Sequence, residues 1–239
     1  MAHDWTTLAN ELSALLDLGN PPIAITYSDD RPEGVPAFDA PMSEPAADGR
    51  RGRAAASCVF WMKAGDRNFS TVAEDHGNCS VGRMTHGFAN LEDVAGNDDV
   101  AALLESGWVG RDQVPEIPTV TTRPGAITYG PLAKTPVEPD VVFLRLEPEQ
   151  LMILTDALPD LHIGAKPQCH TLALAKERNM VAASIGCMLS RVRTGMSSAE
   201  MTCAIPAGRL TEVLDKLRAA ESIDGTVARY ASEDALRFG

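Results

Sequence analysis

Apolar positions follow two different periods along this chain. Over residues 5–17 (WTTLANELSALLD), Leu8, Leu12, Leu15 and Leu16 recur at three- and four-residue steps and share one face of an amphipathic helix. Gly19-Asn20-Pro21 is the expected stop. PPIAITYS then alternates, with Ile23 and Ile25 set between small residues, as a strand does. The same reading predicts a helix near 98–106 (DDVAALLES), strands at 125–130 (GAITYG) and 141–146 (VVFLRL), and a helix over 148–158. That helix opens on Pro148, which suits a first turn because no N–H is needed there. Further on come a helix near 168–176, strands at 179–185 and 199–205, a helix over 207–221 and a separate short helix near 231–237. Alternating strands and helices point to an α/β or α+β protein with a mixed sheet and flanking helices. Residues 29–53 carry Pro32, Pro36, Pro41 and Pro45 among scattered Asp and Gly, and read as a long surface loop suited to cover a site.

A degenerate repeat runs through this pattern. Counting from Cys58 and from Cys169, the sixth residue is Ala64 or Ala175, the eighth Asp66 or Glu177, the ninth Arg67 or Arg178 and the tenth Asn68 or Asn179. Each copy passes through a β-rich segment to a second cysteine, Cys79 or Cys187. Four residues beyond those lie Arg83 and Arg191, and eight beyond lie Gly87 and Gly195. The chain therefore divides into a first half, 1–130, and a second, 131–239, within one compact domain. Related halves pack about a pseudo-twofold axis, which predicts that Cys58 and Cys79 face Cys169 and Cys187 across a metal site between the halves. Cys203 has no counterpart and reads as a small buried apolar residue.

Charge narrows the partners. With 33 acidic against 21 basic residues the chain carries −12, which disfavours non-specific contact with nucleic acid or an anionic membrane. The short GRRGR stretch at 49–53 lacks interleaved aromatics and reads as a solvated loop. No run approaches the roughly 20 apolar residues of a membrane helix, and no basic region precedes an apolar N-terminal stretch, so a cytoplasmic protein is expected. Five cysteines, an odd number at wide spacing, suit ligation better than a disulfide framework. Small molecules remain as partners, and a homodimer is left open.

Four converging thiols match a soft metal centre. Structural zinc sites favour close C-x-x-C knuckles, none of which occurs here, so a [4Fe–4S] cluster held by Cys58, Cys79, Cys169 and Cys187 is preferred, with zinc the alternative. Arg83 and Arg191 are candidates to hold a carboxylate or phosphate, or to offset cluster charge. His86, with His76 and His170 nearby in sequence, is the candidate acid–base group. Trp61 and Met62 read as core residues rather than cofactor contacts. Dinucleotide, Walker, serine-elbow and H-E-x-x-H signatures are missing. Three functions follow. The first is an iron–sulfur enzyme, of lyase, desulfidase or redox type, acting on a small anionic or sulfur-containing substrate. The second is an electron-transfer or redox-sensing iron–sulfur protein. The third is a zinc or small-molecule binding protein without catalysis.

The stretch from Gly186-Cys187 through Arg191 to Gly195, with Glu200 and the Ala204-Ile205-Pro206 turn, resembles the carboxy-terminal signature of the uncharacterised domain of unknown function 169 family. The early Pro-Ile-Ala-Ile strand, Cys58, Cys79, the Pro-Asp-Val-Val strand at 139–142 and Cys169 extend the resemblance over most of the chain. That family has glycine where this chain has Leu189. The resemblance favours Cys58, Cys79, Cys169 and Cys187 over Cys203 and implies no activity.

Overall fold

The computed structural model describes residues 4–39, 57–164, 167–235 and 237. In chain order the elements are α1 (Trp5–Leu16), β1 (Ile23–Ser28), α2 (Ser57–Lys63), β2 (Phe69–Thr71), α3 (Ser80–Thr85), α4 (Leu91–Val94), α5 (Asp98–Glu105) and β3 (Ala126–Pro131). They continue with β4 (Val141–Leu146), α6 (Pro148–Ala157), β5 (His162–Gly164), α7 (His170–Arg178), β6 (Ala182–Ser184), α8 (Met188–Thr194), β7 (Met201–Pro206) and α9 (Leu210–Ala235). The strands form one mixed sheet in the order β2-β3-β1-β4-β7-β6-β5, antiparallel throughout except for the β5–β6 edge.

Helices cover both faces of this sheet, so the central strands are apolar at successive positions rather than at every second one. On one face Val142, Leu144, Cys203 and Ile205 pack under Leu12 and Leu16 of α1, Leu151 and Leu154 of α6, and Val213 and Leu217 of α9. On the other, Ile25, Tyr129, Val141 and Phe143 meet Phe60 and Trp61 of α2, Ala64 just beyond it, and Leu172 and Ala175 of α7. Each such large side chain taken fully out of water contributes about 1.5–3 kcal/mol. The repeated alanines, Ala64 and Ala175, are buried where these two helices approach the sheet.

From the middle of the sheet outward, β1 and β4 pair over three residues, from Ile23↔Phe143 to Ile25↔Val141. Beyond β1 lies β3 and beyond β4 lies β7, each paired over six residues and each ending in a proline, Pro131 or Pro206. A 3-10 turn follows each proline (Leu132–Lys134, Ala207–Arg209). Next outward, β2 begins its pairing at Tyr129 and β6 at Ala204, each two positions before the proline.

Several boundaries differ from expectation. The first helix ends at Leu16, because Asp17 adopts a left-handed conformation (φ 47°) and the Leu18 N–H bonds back to the Ser13 carbonyl before Gly19 is reached. The two C-terminal helices expected at 207–221 and 231–237 are one helix of 26 residues. Gly225 sits inside it, a cost of about 1 kcal/mol that neighbouring helix formers absorb. The strand expected at 179–185 is shorter, Ala182–Ser184. Of the loop at 29–53, residues 29–39 are irregular, with Ala37 bridging to Ser70. Residues 40–53, which include the basic stretch and most of the expected cover, lie outside the described residues. No helix among the described residues is long and apolar enough to cross a membrane.

Candidate functional site: a four-thiol pocket

Four of the five cysteines meet at one place because each begins a helix on the same side of the molecule. Cys58 is the second residue of α2, and Cys79, Cys169 and Cys187 stand immediately before α3, α7 and α8. The first N–H groups of a helix have no partner inside it, and a preceding side chain is placed to accept from them. Cys79 does so, its Sγ accepting from the Gly82 N–H at 3.4 Å. Gly82 also lets α2 and α3 close up, since a Cβ there would stand 2.8 Å from Ser57 Oγ. The four cysteines line a single pocket of about 390 Å³, open mouth included, together with Trp61, Gln168, Leu189 and Ser190. None of the four is in a disulfide among the described residues. Cys203 lies in the opposite core, fully buried.

Burial dominates the acidity of Cys58 and Cys169. It pushes Cys58 up to about 12, partly countered by a hydrogen bond from Ser190 and reinforced by Cys79 and Cys187. Burial likewise raises Cys169 well above its ordinary value, with Cys79 adding to the rise and the Thr85 hydroxyl opposing it. Without a cation Cys58 and Cys169 stay protonated. Among the described residues no three His, Cys, Asp or Glu side chains are arranged to hold a metal ion. The donors surround a pocket rather than a point.

A buried polar network adjoins the pocket. His76 Nδ1 bonds Ser57 Oγ at 2.8 Å and its Nε2 bonds Thr71 Oγ1 at 2.9 Å. His86 Nδ1 bonds Tyr27 OH at 2.9 Å, while its Nε2 is buried without a partner. The two rings lie 5.4 Å apart. Burial lowers His86 to about 3 and takes His76 well below its ordinary value, with His86 and Arg83 adding to the latter. His170 packs instead against β5, its Nδ1 on the Pro167 carbonyl and its Nε2 where a Gly164 Cβ would be.

Neutral buried histidines make folding pH-dependent in a defined direction. Below the ordinary 6.5 the unfolded chain binds protons that the folded chain refuses, so stability present at neutral pH falls as pH drops towards 3. Each ring contributes up to about 1.4 kcal/mol per pH unit in that window. Urea denaturation midpoints at pH 7.5, 6 and 5 should track this fall, and His86→Gln should flatten it by about one proton's worth.

The paired arginines have unequal surroundings. Arg191 donates to three main-chain carbonyls, Ile185 at 3.0 Å, Glu200 at 2.9 Å and Ser197 at 3.3 Å, and so ties down the chain entering Cys187. Gly186 lies under this guanidinium with φ 119°, where a Cβ would come within 2.3 Å of it. Arg83 has its Nε buried without a partner. Neither arginine lines the thiol pocket. Trp61, expected only in the core, both packs there and lines the pocket. Ser190, Thr85 and Gln168 escaped the sequence reading because nothing in their spacing marks them.

The family model DUF169, described as uncharacterised ArCR, matches residues 11–216, from within α1 into α9 and across all four pocket cysteines. The chain belongs to that family. No curated protein and no solved structure matches it. The DUF169 match thus carries no activity with it, and chemistry has to be argued from the pocket.

Proposed function

We propose that Cys58, Cys79, Cys169 and Cys187 hold a [4Fe–4S] cluster and that the protein is an electron-transfer or redox-sensing iron–sulfur protein. One observation carries this reading: four thiols from distant parts of the chain line a single pocket, each at the start of a helix. Sulfur-only donors select zinc or iron–sulfur clusters. The wide sequence spacing of the four cysteines, without a C-x-x-C knuckle, favours the multi-atom group over zinc. When bound, the cluster supplies a one-electron couple. The chain's part is to provide four sulfurs, hydroxyls at Cys58 and Cys169, and an apolar wall that keeps water away.

The halves 1–130 and 131–239 are proposed to be related by duplication, with the pocket between them. Supporting this are the matching orders β1-β3-β2 and β4-β7-β6 outward from the centre, the prolines ending β3 and β7, and the common outer register. Electron transfer is preferred to catalysis because four protein sulfurs leave no open coordination position and no charged side chain among the described residues lines the pocket. Catalysis on a small anion is the second reading, favoured by the unpartnered Nε2 of His86 and Nε of Arg83.

Protein purified without oxygen is expected to be brown and to contain about four iron and four acid-labile sulfide per chain. A colourless protein with stoichiometric zinc overturns the reading. Added acetate, phosphate or sulfide should leave the cluster's electron paramagnetic resonance spectrum unchanged; a shift would favour catalysis.

A further inference from the structure

Three residues past Cys58, and so on the same side of α2, Trp61 is 1% exposed and packs against Phe143 of β4 at a centroid distance of 4.8 Å, the rings tilted by 35°. It lines the thiol pocket, and its indole Nε1–H is buried without a hydrogen-bond partner among the described residues. An indole nitrogen can only donate. A buried donor left unmet costs about 1–3 kcal/mol, and no acceptor among the described residues reaches it, although Gln168 Oε1, likewise buried and without a partner, lines the same pocket. Of the hydroxyls on the pocket wall, Ser57 is bonded to His76 and Ser190 donates to Met196 Sδ at 3.6 Å, and neither accepts from the indole. Packing alone does not demand the N–H. The residue three past Cys169 is Leu172, buried to the same extent in the same core.

We propose that the Trp61 indole N–H donates to a sulfur of the bound cluster, thiolate or sulfide, and raises its reduction potential. This rests on the reading of the pocket as a cluster site. Reduction adds one electron to the cluster and places more negative charge on its sulfurs, with no bond made or broken. An N–H aimed at such a sulfur strengthens as that charge grows and so favours the reduced form. Trp61 moves no proton and ligates nothing; it is a positioning residue present on α2, with Leu172 at the matching position of α7.

The test is Trp61→Phe, which keeps the ring against Phe143 and removes the N–H, in anaerobically reconstituted protein titrated with dithionite under electron paramagnetic resonance. Iron and sulfide content should match the parent, and the midpoint should fall by about tenfold in the reduction equilibrium, 59 mV for one electron. An unchanged midpoint at full cluster content overturns the proposal. Should the variant lose its cluster, the parent labelled with [¹⁵N-indole]tryptophan decides. Of the three tryptophans only Trp61 lines the pocket, so a ¹⁵N hyperfine coupling to the reduced cluster supports the bond and its absence overturns it. If the parent takes up neither iron nor sulfide, the cluster reading itself has failed, and the inference with it.

Discussion

Serine in place of Cys58, Cys79, Cys169 or Cys187 is expected to strip most of the iron and sulfide from protein reconstituted without oxygen, whereas Cys203→Ala keeps both. A hydroxyl is a poor ligand for a soft metal, and each of the four sulfurs comes from a different helix, so no neighbour can take over. Losing one sulfur should lower retained iron severalfold after gel filtration. Cys203 faces the opposite core between Leu144 and Ala183 in the sheet, and its replacement leaves only a small gap, about 1 kcal/mol of stability. Metal lost on changing Cys203, or kept in full on changing one of the four, would refute the ligand set.

Gly186→Ala is expected to be the most damaging substitution outside the cysteines. Its φ of 119° is strained for any residue with a Cβ, and that atom would collide with the Arg191 guanidinium 2.3 Å away. The guanidinium cannot retreat without releasing Ile185, Ser197 and Glu200 carbonyls. A loss of about 2–4 kcal/mol follows, with weaker cluster retention because Cys187 is the next residue. Arg191→Lys should recover little, since one ammonium cannot reproduce a planar fork serving three carbonyls. Thermal unfolding and iron content of both variants check this; a Gly186→Ala protein as stable as the parent would show that the loop relaxes freely.

Which parts of this were legible follows from length and locality. Strands β1, β3, β4 and β7 are six residues each, long enough to display a pattern, while β2, β5 and β6 are three, β2 and β6 lying beside the longer β3 and β7 and β5 pairing with β6 alone. The cysteine positions were legible through the repeat, and the match eight residues on has a local cause: Gly87 and Gly195 both take positive φ where a helix closes. The match ten residues on does not. Asn179 closes α7 in a left-handed turn, whereas Asn68 reaches over Gly130 to the Lys134 carbonyl. Arg83 and Arg191 show the limit most clearly. An offset places a residue on a helix, but the carbonyls that hold Arg191 come from residues 185–200, and the first copy supplies none to Arg83. An indole N–H left without a partner, likewise, depends on every neighbour at once.

The order of strands also sets a schedule. Strand β1 is made early yet pairs with β3, whose proline lies more than a hundred positions later, and with β4 beyond that. Local contacts cannot hold it meanwhile, so this is a slow-folding topology of high contact order. Cys58 and Cys79 leave the ribosome well before Cys169 and Cys187 exist, and would pass that interval as exposed thiols on an unfinished sheet. Metal delivery therefore belongs after synthesis of the chain, and truncation before Cys187 should leave a polypeptide that neither completes its sheet nor holds iron.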